Sequence, residues 1–117
     1  MDLKLLSDDG VVLRLEMTGR IVRDDAASEV QSFDSLLGPD GYTRNVSLSL
    51  AETTFIDTSR LSWLLVLHKR FHKAGGKLVV HSIRPAVMAG LEMVHFLRVL
   101  HIAEDEAAAM ELLRAES

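Results

Sequence analysis

The 117-residue sequence lacks cysteine, and none of its apolar runs approaches the length of a membrane helix. Without cysteine there is neither a disulfide framework nor a thiolate nucleophile. A bilayer-spanning helix needs roughly 20 consecutive apolar residues. The first residues, Met1-Asp2-Leu3-Lys4, also lack the basic flank and apolar core of a signal peptide. We therefore expect a cytoplasmic protein that does not associate with membranes.

Signatures of common enzymes and of nucleic-acid-binding proteins are missing as well. There is no glycine-rich loop with a lysine to hold nucleotide phosphates and no Gly-x-Ser-x-Gly elbow. The net charge of −4 is opposite in sign to the basic face of a nucleic-acid binder. We expect a protein that is not an enzyme, needs no cofactor and does not contact nucleic acid directly.

The composition is that of an ordinary globular domain. Hydrophobic residues make up 48% of the sequence and charged residues 26%. A chain of this length can bury a hydrophobic core without help from disulfides or metals. No linker, internal repeat or low-complexity tract divides it, so we expect residues 1–117 to form one domain.

Hydrophobic periodicity alternates between strand and helix along the chain. It predicts strands at 3–6, 11–17, 46–50, 77–81 and 99–102. It predicts helices at 25–37, 58–74, 85–94 and 104–113. The turn Ser7-Asp8-Asp9-Gly10 suits a hairpin between the first two strands. Because strands alternate with helices, we predict an α/β fold with a mixed sheet of about four to five strands flanked by about four helices.

The segment Phe55-Ile56-Asp57-Thr58-Ser59-Arg60-Leu61 places an acid and two hydroxyls between a predicted strand and a predicted helix. Asp57 or Thr58 can cap the first free N–H groups of that helix. The positive end of the helix also suits a phosphate. A hydroxyl held there is well placed for phosphorylation, which would add roughly two negative charges. These residues alone leave simple capping and phosphorylation both open.

The helix predicted at 58–74 has an apolar arc and a mixed face. At 100° per residue the arc contains Leu61, Leu64, Leu65, Leu67, His68, Phe71 and His72. We expect this arc to pack on the sheet. Outside it lie Trp63 and Val66 among polar residues, and tryptophan and arginine dominate binding hot spots. We predict a partner-binding face of Ser59, Trp63, Val66 and Arg70, the alternative being that Trp63 packs on a neighbouring loop.

His68 and His72 are four residues apart, the spacing of two metal ligands on one helix face. No glutamate lies between them, leucines surround them, and no third ligand is evident. The other histidines, His81, His95 and His101, are scattered along the chain. We therefore predict partly buried structural histidines and no metal site.

Six segments come in a characteristic order along the chain: Thr18-Gly19-Arg20-Ile21, Phe55-Ile56-Asp57-Thr58-Ser59, 61–73, Gly75-Gly76, 77–80 and Ile83-Arg84-Pro85-Ala86-Val87. Taken in this order they resemble the STAS domain family, specifically the bacterial anti-sigma factor antagonists. The phosphorylation site of that family reads aspartate, a serine or threonine acceptor, another hydroxyl and usually glycine, between a strand and a leucine-rich helix. The resemblance covers nearly the whole chain.

The resemblance implies a partner-switching protein in the control of transcription. The unphosphorylated domain would bind an anti-sigma factor, a serine/threonine kinase with a GHKL-type ATPase fold, and so free a sigma factor. The kinase would phosphorylate the antagonist, and a PPM-type phosphatase would reverse the reaction. By position the acceptor is Thr58, with Ser59 as second choice. Asp57 and Arg60, which flank the acceptor, belong to the partner-binding face. The resemblance is also compatible with a homodimer.

The sequence departs from the family pattern at a few positions. Arg60 stands where the family usually has glycine, so it can either pair with a phosphate on Thr58 or obstruct a kinase. Val22 replaces an acid, and His95 replaces a frequent glycine. The alternative function is a stressosome-type or constitutive STAS scaffold or sensor without a phosphoswitch. A third class is a STAS domain that binds lipid or nucleotide.

Overall fold

The structure, a computed structural model, describes residues 2–21, 33–38, 41–56, 62–93 and 100–115. Its strands are β1 (Asp2–Asp8), β2 (Val12–Ile21), β3 (Asn45–Ile56), β4 (Lys77–His81) and β5 (His101–Ala103). They form one sheet in the order β1-β2-β3-β4-β5, in which β1 is antiparallel to β2 and the other neighbours are parallel. The predicted mixed sheet is confirmed.

Four helices accompany the sheet, as predicted. Helix α1 is described over residues 33–37, and a 3-10 turn follows at Gly41–Thr43. The later helices are α2 (Ser62–Ala74), α3 (Pro85–Met93) and α4 (Glu106–Ala115). Over the described ranges no helix has the length and apolarity needed to cross a membrane.

Element boundaries differ from the prediction where side chains or neighbouring strands intervene. Helix α4 begins at Glu106 rather than Glu104, because the Asp105 carboxylate accepts a 2.9 Å hydrogen bond from the Ala108 N–H and so caps the helix. β3 continues to Ile56, beyond the predicted end at residue 50, since β2 pairs with it as far as Ile21. The boundaries of β4 agree with the prediction.

Hydrophobic residues cover both faces of the sheet. Because strand side chains alternate, Val46, Leu48 and Leu50 point to the face that carries most of the core. There they join Leu15, Leu64, Leu67, Phe71 and Leu91, all buried. The opposite face is covered by α4, whose Ala109 and Leu113 pack with Val12, Val79 and Ala103. The sheet is therefore the middle layer of the domain.

Helix α2 packs on the sheet through most of its predicted apolar arc. Leu64, Leu67 and Phe71 are buried, and Leu64 has 0% of its surface exposed. The prediction was wrong for His72, which is exposed. His72 lies at the rim of the arc, where an imidazole can keep its contact with water. Leu61 lies outside the described residues.

Candidate functional site

The predicted acceptor segment connects β3 to α2. β3 ends at Ile56 and α2 begins at Ser62, so the strand-to-helix passage has the expected elements on both sides. Asp57, Thr58, Ser59 and Arg60 lie in this connection, outside the described residues. The backbone of Trp63 is in the first turn of α2, but its side chain is outside the description. The roles assigned to these five residues stay predictions.

The strand that leads into this connection is held on both of its edges. On the β2 side, the buried Thr53 hydroxyl donates a 2.8 Å hydrogen bond to the Met17 carbonyl. On the other side, Arg84 Nε donates a 2.8 Å hydrogen bond to the Ala51 carbonyl, and its guanidinium lies 3.9 Å from the Glu52 carboxylate. These contacts hold β3 in place before the predicted acceptor segment begins.

The described part of the predicted partner-binding face is accessible. Val66 has 42% of its surface exposed, and the side chain of Arg70 is 43% exposed. Both lie on the side of α2 that faces away from buried Leu64 and Phe71. Arg70 is not a freely moving cation, however, because its Nη1 lies 2.7 Å from Asp34 Oδ1 in α1.

Arg70, Asp34 and Tyr42 form a compact polar network. The Tyr42 hydroxyl donates a 2.6 Å hydrogen bond to the same Asp34 oxygen that accepts from Arg70. The guanidinium carbon lies 5.8 Å from the centre of the Tyr42 ring, and that ring meets Phe71 edge-on at 4.9 Å. The ring contacts and the shared carboxylate together restrict the position of the guanidinium.

Ionisation within the network follows from its hydrogen bonds. The bond from Tyr42, followed by that from Arg70, lowers the pKa of Asp34. Burial and the hydrogen bond to Asp34 raise the pKa of Tyr42 to about 12. At neutral pH the network therefore contains a carboxylate, a guanidinium and a neutral phenol. Sequence reasoning missed Asp34 and Tyr42, for which the only signal was that Tyr42 is the single tyrosine in the chain.

The histidines are closer together than the sequence indicated. The His68 and His72 rings are nearly parallel at 6.5 Å, and the His101 ring lies 5.2 Å from His68. Burial, followed by the charges of His101 and His72, lowers the pKa of half-buried His68. No three potential ligands in the described part of the chain are arranged to hold a metal ion.

Comparisons with known proteins agree on the fold. The model of the STAS domain family matches residues 7–109. An anti-sigma factor antagonist from Mycobacterium paratuberculosis is 16% identical, with a TM-score of 0.78 over 97% of this chain and 95% of its own. The anti-sigma factor antagonist SpoIIAA in its unphosphorylated form is 12% identical, with a TM-score of 0.75 over 97% of each chain.

The same fold also occurs as part of a much larger protein. The match to the murine Slc26a9 anion transporter covers 93% of this chain but only 18% of the transporter. Its sequence identity is 17% and its TM-score is 0.78. At these identities the structural likeness shows a shared fold. The function has to be argued from the residues of this chain.

Proposed function

Because the chain belongs to the STAS domain family, we propose that it is an anti-sigma factor antagonist controlled by phosphorylation. The unphosphorylated protein binds a kinase-like anti-sigma factor and so frees a sigma factor. The kinase transfers a phosphate to Thr58, with Ser59 as the second candidate, and a PPM-type phosphatase removes it. The switch acts in the cytoplasm and needs no cofactor.

The observation that carries this proposal is the position of the acid-hydroxyl segment between the end of β3 and the start of α2. A phosphate on Thr58 would be favoured by the positive end of α2. It would also place roughly two negative charges beside Asp57 on the partner-binding face. Repulsion of acidic partner groups and the cost of desolvating the phosphate would then release the partner.

The partner-binding face combines residues of the connection with residues of α2. Asp57, Ser59 and Arg60 flank the acceptor in the sequence, and Trp63, Val66 and Arg70 follow at helical spacing. The exposure of Val66 and Arg70 supports this face. Because Asp34 and Tyr42 already hold Arg70, binding would cost little side-chain entropy there.

Phosphorylation of matched variants tests the proposal. Wild type, Thr58→Ala and Ser59→Ala would be incubated with the cognate anti-sigma factor and ATP, and the phosphate mapped by mass spectrometry. We expect one phosphate on wild type and on Ser59→Ala, and none on Thr58→Ala. Titration calorimetry should show that the phosphorylated protein binds the anti-sigma factor much more weakly. Phosphate on Thr58→Ala but not on Ser59→Ala would move the acceptor to Ser59.

The alternative is a stressosome-type or constitutive STAS scaffold without a phosphoswitch. Arg60, at the position where the family usually has glycine, favours this alternative because a long side chain there can obstruct a kinase. Stable binding to a partner with no phosphate incorporated into any of the three proteins would support the scaffold function and contradict the switch.

A further inference from the structure

The solvent-facing side of α2 is basic. The helix contains no acidic residue, and Lys69, Arg70 and Lys73 are all exposed. At 100° per residue these three cations fall within an arc of about 100° that also contains exposed Val66. The chain as a whole carries a net charge of −4, so this face is opposite in sign to the rest of the molecule. We call Lys69, Arg70 and Lys73 the basic face.

The positive charge of the basic face is only partly compensated. Asp34 pairs with Arg70 at 2.7 Å. Neither Lys69 nor Lys73 has an ion-pair partner in the described part of the chain. Among the described residues, these three cations and the one carboxylate paired with them leave a local surplus of two positive charges. The C-terminus of a helix favours cations. That preference does not explain the depression that lies beside Arg70 and Lys73.

Beside these cations the surface forms an open depression of about 270 Å³, lined by Tyr42, Arg70, Lys73 and Ala74. Its lining residues are an aromatic residue, an alanine and two cationic residues, and most of the lining surface is apolar. A protein carboxylate side chain matches this combination, since its methylene groups can contact the ring while its oxygens meet the cations. The depression is smaller than most pockets for drug-sized ligands, which hold about 300–1,000 Å³.

We propose that the basic face docks an acidic surface of a partner protein, with one aspartate or glutamate side chain seated in the depression between Arg70 and Lys73. Preorganisation favours this docking because Asp34 and Tyr42 hold the Arg70 guanidinium at the rim. The inference rests on the proposed function, for which it names the chemistry of the partner surface.

Charge reversal at matched positions tests the inference. Lys73→Glu changes the basic face, whereas Lys4→Glu changes an exposed lysine on the edge strand β1. Each substitution takes the net charge from −4 to −6, because a positive charge is replaced by a negative one. Thermal unfolding would verify that both variants are folded. Each would then be titrated calorimetrically with the purified cognate anti-sigma factor at low salt and at about 0.3 M salt.

We expect Lys73→Glu to weaken binding about tenfold at low salt and by less at high salt, because screening reduces charge complementarity. Lys69→Glu should act in the same direction, and Lys4→Glu should stay within about twofold of wild type. Equal affinities for Lys73→Glu and Lys4→Glu would overturn the inference and leave the proposed function standing. Failure of wild type to bind would overturn both.

Lipid headgroups are the other acidic surface that this face has to be tested against. Wild type and Lys73→Glu would be mixed with vesicles of phosphatidylglycerol and phosphatidylcholine and sedimented. We expect both proteins to stay in the supernatant. Co-sedimentation of wild type that Lys73→Glu abolishes would assign the basic face to a membrane surface and overturn its assignment to a protein partner.

Discussion

The Asp34 carboxylate in α1 lies 2.7 Å from the Arg70 guanidinium in α2, although the two residues are 36 positions apart in the sequence. This ion pair ties the helix that precedes β3 to the helix that follows it. The predicted acceptor segment lies in the sequence between β3 and α2. The pair therefore helps to set where α2, and with it the basic face, stands relative to the rest of the surface.

Loss of the Asp34–Arg70 pair should have a small effect on stability and a specific pH dependence. Asp34→Asn should lower the free energy of unfolding by less than about 1 kcal/mol, because both side chains are more than a third exposed. The pKa of Asp34 is lowered from 3.8 in the folded state, so its contribution is present above the unfolded pKa and lost as the pH falls through the folded value. Urea unfolding at pH 7 and below pH 4 measures this.

The matched control for Asp34 is Glu92→Gln, which removes an exposed carboxylate from α3. The difference in stability between wild type and Asp34→Asn should shrink on acidification, while Glu92→Gln should follow wild type throughout. An undiminished difference at low pH would show that Asp34 stabilises the fold by packing rather than by charge.

The buried surface of α2 predicts a large effect for one truncation and a small effect for another. Leu64→Ala should cost about 2–5 kcal/mol, because Leu64 is fully buried among the sheet residues. Val66→Ala, on the exposed side of the same helix, should change the stability by no more than about 0.5 kcal/mol. Urea unfolding of both variants would measure the difference. Similar costs for the two would contradict the orientation of α2.

The buried His81 predicts a loss of stability at mildly acidic pH. Burial lowers the pKa of His81 from 6.5, although the charges of Glu106 and Asp105 oppose this shift. The unfolded chain then binds a proton at higher pH than the folded chain. The free energy of unfolding should therefore decrease as the pH falls below about 6.5 and stop decreasing below the folded pKa.

Removal of this imidazole should flatten the pH profile. His81→Gln should show a weaker dependence of the unfolding free energy on pH between about 7 and 5 than wild type. Met93→Ala is the control, because it removes no titratable group and Met93 is exposed on α3. A profile for His81→Gln with the wild-type slope would assign the pH dependence to another group.

The predicted partner-binding face makes Trp63 a test of function rather than of folding. Trp63→Ala should weaken binding to the anti-sigma factor by at least about 1 kcal/mol, the usual mark of a contributing interface residue. Thr58→Asp should weaken it partially, since aspartate carries less charge than a phosphate. Met93→Ala, at an exposed position on α3, is the control. The affinities of the folded variants would be measured by calorimetric titration. An unchanged affinity for Trp63→Ala would place the partner-binding face elsewhere.

Local sequence signals determined much of the fold. The hairpin turn was predicted from Ser7-Asp8-Asp9-Gly10, where Asp8 and Asp9 accept backbone hydrogen bonds and Gly10 has a φ of +86°. The alternation of apolar residues predicted the strands, and helical spacing predicted that Leu64 and Phe71 pack on the sheet. These signals work because turns, caps and amphipathic faces depend on residues a few positions apart.

The tertiary structure alone decided the features that join distant parts of the chain. The length of β3 depends on pairing with β2, and the position of Arg70 depends on Asp34 and Tyr42. His101 comes to lie beside His68 because β5 completes the sheet edge next to α2. None of these contacts leaves a periodic trace in the sequence, since each is set by the packing of whole elements. The sequence by itself therefore determined the elements and led to the prediction of an acceptor segment, and packing decided how cations, carboxylate and phenol meet at the surface.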